Sequence, residues 1–388
     1  MADTSVRYFD STMSGAPALS GTAGALISVL DACLVNGFGT VTLASLVVSS
    51  NIATGTVSAG HGFSMIGGAV GSVITIAGAT PSSLNGTWRI ASVADSTHFT
   101  FVTSGISDQT ATGTITAVRA PLGFSKVYSG TNKPVYRADD VMSSRLYLRV
   151  ADDGTGSATY ARVRGYESMS DVDTGTGPFP TDTQVSGGLY WGKSSAASST
   201  ARAWRLIGDS QGLYLLVNQD GSGAWISAAW VDIPSEKAGD AYRTLIIGGT
   251  SATVSSQGNL HVINSVSFGH YLSRTYAQTG TAISAFKLSH HIAASGIGYY
   301  GIPYPAPMGG QFYCAPIDVW EGSSNSAATA LRGPLPGIYA PLHPATQLTD
   351  GSFQTNVIGL DGRTLLVQIL KYSGSSFAAA FDLTGAWR

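Results

Sequence analysis

Several short stretches carry residue types at spacings that could do chemistry. Gly187-Gly188-Leu189-Tyr190-Trp191-Gly192-Lys193-Ser194 matches the phosphate-binding pattern G-x-x-x-x-G-K-[ST]. That chemistry needs a buried strand before the loop and a helix after it, so that backbone N–H groups face the phosphates. Here the preceding run, Thr181-Asp182-Thr183-Gln184-Val185-Ser186, is polar, and Leu, Tyr and Trp would crowd a phosphate cradle. Ser194 to Thr200 is a poor helix former. The stretch reads as an aromatic strand ending in a turn, with no nucleotide expected. Gly208-Asp209-Ser210-Gln211-Gly212 matches the nucleophile pattern G-x-S-x-G. The elbow requires a helix after the turn, whereas Leu213 to Val217 alternates as a strand, so a hairpin turn is expected.

Carboxylates gather at Asp139-Asp140, Asp152-Asp153 and Asp171/Asp173. Such pairs can ligate calcium, but Thr176 stands where an EF-hand loop needs glycine. Asx-turns in solvent-facing loops are the expectation, with no metal. Paired carboxylates could also serve glycoside cleavage, but the chain has only 3 Glu, and no catalytic residue is assigned. His290-His291 would point to opposite faces of a strand and are not expected to chelate one ion. His61 and His98 are expected to serve local packing or turns. Tyr299, Tyr300, Tyr304, Phe312 and Tyr313 crowd a Gly- and Pro-rich loop. They read as a subunit contact or a cluster pinning the loop, with a sugar platform as the alternative.

Composition narrows the classes. The 388 residues hold 21 Lys plus Arg and 23 Asp plus Glu, for a net charge of -2. Charged residues are 11%, against ~25% in an ordinary soluble domain. Only 6 cations are Lys and none cluster, which argues against nucleic acid as a partner. The hydrophobic fraction of 44% excludes disorder by low hydrophobicity. Two cysteines, Cys33 and Cys314, make no disulfide framework and no four-ligand zinc site. No apolar run approaches the ~18 residues of a spanning helix, so membrane insertion is not expected. The first residues, MADTSVRYFDSTMSG, lack the apolar stretch of a signal peptide.

These side chains must be positioned by a mainly β chain. One helix is predicted over Thr22–Asn36, where Leu26, Leu30, Cys33 and Leu34 form a stripe. Ser20 or Thr22 would cap it and Gly37 would end it. Residues 1–45 are expected to be an arm and helix belonging to the main body. Tyr8 and Phe9 on that arm are further candidate contact residues. Residues 46–118 read as a small all-β module, with an Asn-Gly hairpin signal at Asn85-Gly86. Residues 119–388 read as a β-sandwich-like main body, into which the module is inserted. In it, Leu213, Leu215 and Val217 look buried on one face.

The module carries a resemblance. Gly60-His61-Gly62-Phe63, Ile76-Ala77-Gly78-Ala79-Thr80-Pro81, Leu84-Asn85-Gly86-Thr87-Trp88 and Thr97-His98-Phe99-Thr100-Phe101 resemble a small β module of tailed-bacteriophage structural proteins. Tyr8-Phe9-Asp10-Ser11-Thr12-Met13, Asp171 to Gly177 and Phe381 to Arg388 are similar to a family of phage virion proteins. The resemblance implies a virion component, made in the host cytoplasm, and brings no catalytic residue and no cofactor. It does not itself place the chain in the particle, and tail or baseplate is the expected position. Its partners would be copies of itself and other phage structural proteins. The alternatives are a receptor- or glycan-binding tail-tip or fibre protein that meets a host surface glycan, and a head or neck decoration protein.

Overall fold

The computed structural model describes residues 3–223, 225–252, 269–289, 303–307, 309–323, 327–372 and 375–388. His290, His291, Tyr299 and Tyr300 lie outside the described residues. The chain is mainly β, with one α-helix among the described residues. Twelve strands build the largest sheet, and Arg7–Asp10 lies at one edge. Trp204–Asp209, Gly212–Asn218, Trp225–Asp232 and Thr244–Gly248 follow in order. Gly269–Leu272, Ile283–Leu288, Cys314–Glu321 and Ala330–Pro341 come next. Ser375–Asp382, Leu365–Tyr372 and Phe353–Gln354 complete it. Trp225 also pairs in parallel with Leu370, which curls the sheet back on itself.

The body is layered around the strands from Trp204 to Gly248. A five-stranded sheet (Phe124–Gly130, Lys133–Ala138, Tyr147–Ala151, Tyr160–Tyr166, Leu189–Gly192) lies on one side. The Trp191 indole donates to the Ile247 carbonyl at 2.9 Å, and Phe179 stacks on Trp230 at 5.6 Å. On the other side Tyr214 meets Phe381 and Trp387 at 5.5 and 5.7 Å and donates to the Pro336 carbonyl at 2.8 Å. Leu213, Leu215 and Val217 are therefore buried, and so are Tyr214 and Leu216. The alternation predicts burial on one face; the structure buries both, because strands returning from the C-terminal third cover the second. Leu365–Tyr372 and Ser375–Asp382 are legible in the sequence as apolar, β-rich runs, whereas Ala330–Pro341 is not. Ala330–Pro341 contains Pro334 and Pro336, which lack the N–H a ladder needs. It is tolerated because its ladder to Ser375–Asp382 spans only Ile338 and Tyr339.

The segment predicted as an arm is part of this body. Arg7–Asp10 pairs antiparallel with Trp204–Asp209, with Phe9 opposite Leu206. Val6, Phe9, Met13 and Leu19 are buried in the main core, and Phe9 lies 5.7 Å from Phe38. The helix runs Ala25–Leu30 and continues as a π-helix over Asp31–Asn36, with its predicted stripe buried. Gly37 ends it at φ 73, as the spacing predicts. Its cap differs from the prediction. The N-cap position is Gly24, without a side-chain cap, and Asp152 takes the cap role from a distant strand. Its carboxylate accepts Leu26 N–H at 2.9 Å and its carbonyl accepts Gly24 N–H at 2.8 Å.

A third sheet has a core of its own. Its eight strands run Gln109–Thr110, Ser45–Ser49, Ile52–Thr56, His98–Val102, Gly86–Val93, Val73–Ala77, Thr116–Arg119 and Phe38–Thr42. Leu46, Val48, Ile74, Trp88, Phe99 and Phe101 pack within it, separately from the body core. Phe38–Thr42 pairs with Thr116–Arg119, so the sheet reaches N-terminally of residue 46. Asn85-Gly86 is no two-residue hairpin. Asn85 has φ -73 and uses its side-chain amide as a strand would use its backbone, accepting from Ala79 N–H at 2.8 Å and donating to Ala79 carbonyl at 2.9 Å. Arg119 fastens this sheet to the N-terminal segment. It donates to Ser14 carbonyl at 2.9 Å and to Gly62 carbonyl, with its guanidinium near the rings of Phe38 and Phe63. Burial pulls its pKa down to about 10, against the pull of Asp10.

Phe9→Ala removes a ring from the middle of the body core. A loss of about 3–5 kcal/mol is expected, read as a lower urea midpoint of the isolated chain. A midpoint within error of the parent would place Phe9 outside the cooperative core.

Candidate functional site

Lys193 sits just past the end of Leu189–Gly192, and Asp152 just past the end of Tyr147–Ala151. Both side chains are 0% exposed and in direct contact, Nζ to Oδ1. Nζ also donates to Thr22 carbonyl at 2.7 Å. The other carboxylate oxygen accepts the Leu26 N–H. Burial lowers the Lys193 pKa and raises that of Asp152, each opposed by the charge of its partner. The lysine of the phosphate-binding pattern is thus held by a carboxylate of its own chain. The rest of the pattern is engaged too. Gly187 N–H donates at 2.9 Å to Asp182, a carboxylate where phosphate oxygens would need to sit. Asp182 is held down at about 2 by the Arg164 guanidinium and that N–H. Ser194 Oγ accepts from Arg202 at 3.1 Å.

Ser210 occupies the turn between Trp204–Asp209 and Gly212–Asn218, the hairpin its spacing predicts. Its hydroxyl donates to Asp140 at 2.6 Å. Asx-turns hold three of the other carboxylates: Asp140 accepts Met142 N–H, Asp153 accepts Thr155 N–H, and Asp171 accepts the N–H groups of Asp173 and Thr174. Asp139 instead accepts from the Ser125 hydroxyl at 2.7 Å, and Asp173 pairs with Arg149. Asp152 departs from the prediction of a solvent-facing loop, since the helix and Lys193 cover it. His61 accepts Phe63 N–H at 2.9 Å and stacks among Phe63 and Phe99, as predicted. His98 pairs with Asp95 at 3.0 Å. Among the described residues no group of three or more His, Cys, Asp or Glu is placed to hold a metal ion. Cys33 is buried in the core, where burial pushes its thiol pKa well up.

The contact candidates divide. Phe9 and Phe312 are buried and offer a partner no free ring face. Tyr8 is half-buried beside Asp10 and Arg205. Tyr304 meets Phe312 and His343 edge-on at 5.9 and 5.2 Å, and its hydroxyl donates to Gln354 at 2.6 Å. Tyr313 N–H donates to His343 at 2.9 Å. With Leu348, Val357 and Leu365 nearby, this is a satellite core that pins the loop. Tyr299 and Tyr300 lie outside the described residues.

Two ion clusters had no signal in sequence spacing. Arg332 is buried between Asp240 at 2.5 Å and Glu321 at 2.8 Å, and also donates to the carbonyls of Arg274 and Tyr242. Burial raises the Glu321 pKa against the pull of Arg332. Arg388 contacts Asp209 and donates to Asp232 carbonyl at 2.6 Å. Asp232 in turn accepts from Ser143, Ser144 and Thr244.

No family model matches this chain, and no curated protein matches it. Among solved structures it is similar to the phage phi92 endosialidase at 12% identity, with a TM-score of 0.16. That alignment covers 89% of this chain and 52% of the other, so this chain spans about half its length. The likeness is too slight to set a fold or an activity.

Lys193→Met leaves the Asp152 carboxylate buried without its cation. A loss of about 3–5 kcal/mol is expected, measured by chemical unfolding. Neither the parent nor the variant should take up ATP in equilibrium dialysis. Nucleotide affinity that disappears with Lys193 would overturn the structural role.

Proposed function

We propose that this chain is a structural component of a tailed-bacteriophage particle, in its tail or baseplate. It works through contacts with copies of itself and with other particle proteins. The observation that carries this reading is the outer face of the eight-stranded sheet. Val47, Thr54 and Thr100 stand opposite one another in one row across three strands. Ser49, Ile52 and Val102 form the next row. Val47, Ile52 and Val102 are 38%, 37% and 40% exposed, and none of the six residues carries a charge. Exposed β-branched side chains on one sheet face gain by being covered. An uncharged face stacks on a second copy of itself without burying an unpaired ion.

Two further features support the reading. Lys193 and Ser210, the residues whose patterns point to nucleotide or hydrolase chemistry, are engaged in the fold's own contacts, in favour of a non-catalytic role. The motifs of the small sheet resemble those of phage structural proteins. Tyr304 and Phe312 hold their loop to the body, in favour of a loop-pinning cluster over a stacking platform for sugar.

The purified chain should self-associate in light-scattering measurements. Val47→Lys combined with Ile52→Lys should shift it toward monomer with little change in thermal unfolding. Mass spectrometry of gradient-purified particles should find the chain as a stoichiometric component. Association untouched by the two lysines would remove the contact face, and absence from the particles would remove the function.

A further inference from the structure

We propose that Lys193 and Asp152 become joined by an isopeptide bond, formed by the protein on itself after folding. The amine and the carboxyl are already in contact, with both side chains fully shielded from water. Two groups fix the geometry. Thr22 carbonyl holds Nζ at 2.7 Å, and Leu26 N–H holds Oδ2 at 2.9 Å. Held groups react as though at very high concentration, because the entropy of bringing them together is already lost on folding. Nothing about this bond depends on the particle assignment above.

The chemistry balances without a co-reactant. In a water-poor site the ion pair can pass a proton from Nζ to Oδ1, leaving a neutral amine and a carboxylic acid. Burial acts in that direction on both partners, lowering the pKa of Lys193 and raising that of Asp152. The Nζ lone pair attacks Cγ. Charge develops on Oδ2, where the Leu26 N–H already donates, so the donor is in place before the reaction. The Cγ–Oδ1 bond then breaks, and Oδ1 leaves as water with its own proton and one from Nζ. A C–N bond has replaced a C–O bond, with no oxidation or reduction. The amide removes two buried charges that are costly to keep in the core. It also closes a covalent ring from Asp152 to Lys193 that contains Tyr160–Tyr166 and Leu189–Gly192.

Intact-mass spectrometry of the full chain tests this. The folded, purified protein should be lighter than its sequence by one water molecule. Proteolysis should release a branched peptide linking Asp152 to Lys193, and the link should survive denaturation. Lys193→Arg keeps the cation but lacks the primary amine, so it should run at full sequence mass, migrate more slowly on denaturing gels and unfold at lower temperature. A parent protein that stays at full mass after prolonged incubation in the folded state overturns the proposal. So does a water loss that maps to an Asp-Gly pair such as Asp153-Gly154, because a succinimide there gives the same mass change.

Discussion

The contact between Lys193 and Asp152 is the constraint on which the body is arranged. Asp152 has two carboxylate oxygens and a carbonyl, and all three are used: one oxygen for Lys193, one for the first turn of the helix, and the carbonyl for Gly24. Removing either partner would leave an uncompensated charge in the core, which is far costlier than losing a surface ion pair. The pair therefore fixes where the N-terminal segment enters, and that segment supplies the edge strand of the main sheet. A helix of six α-residues with no cap of its own depends on this outside acceptor.

The scarcity of charge follows the same pattern. Of the few ions in the chain, several work inside it: Arg332 with Asp240 and Glu321, Arg388 with Asp209, Arg119 across the junction with the small sheet. Arg274 and Glu167 add a two-pronged pair, at 2.7 Å in both arms, between the five-stranded region and the main sheet. Guanidinium suits these places because its fork matches carboxylates and carbonyls in several directions at once. Arginine outnumbers lysine accordingly.

How much of this was legible depended on range. Local patterns held: Ser45–Ser49, Tyr160–Tyr166 and Gly212–Asn218 fall where alternation and β-branched content place them. The Ser210 turn and the end of the helix at Gly37 also follow from neighbouring residues. What failed was set by residues far away in sequence. Asp152 caps a helix 126 positions earlier, so Ser20 and Thr22 looked like better caps than they are. Phe9 reads as a contact residue for a partner, and not as core, because the strand it pairs with begins at Trp204. Ala330–Pro341 carries no plain strand signal because of its prolines, which matter only on the edges where a ladder is required, and one of its ladders is short. Asn85 has the type a tight turn prefers, but its amide is used as a false backbone against Ala79.

The order of strands in the main sheet also dictates an order in time. The small sheet is made from one continuous run, Phe38 to Arg119, and every strand of it finds its partners inside that run. Arg7–Asp10 has no neighbour until Trp204–Asp209 exists, and the sheet curls back only when Leu370 reaches Trp225. Pairings across such long loops form late, because chain-closure entropy is lost before any contact is gained. On the ribosome the small sheet can thus collapse while the first strand still waits, its apolar Val6, Phe9 and Met13 uncovered. The N-terminal segment is the earliest part of this chain to be made and among the last to be buried. That interval is where chaperone binding and premature association compete with folding.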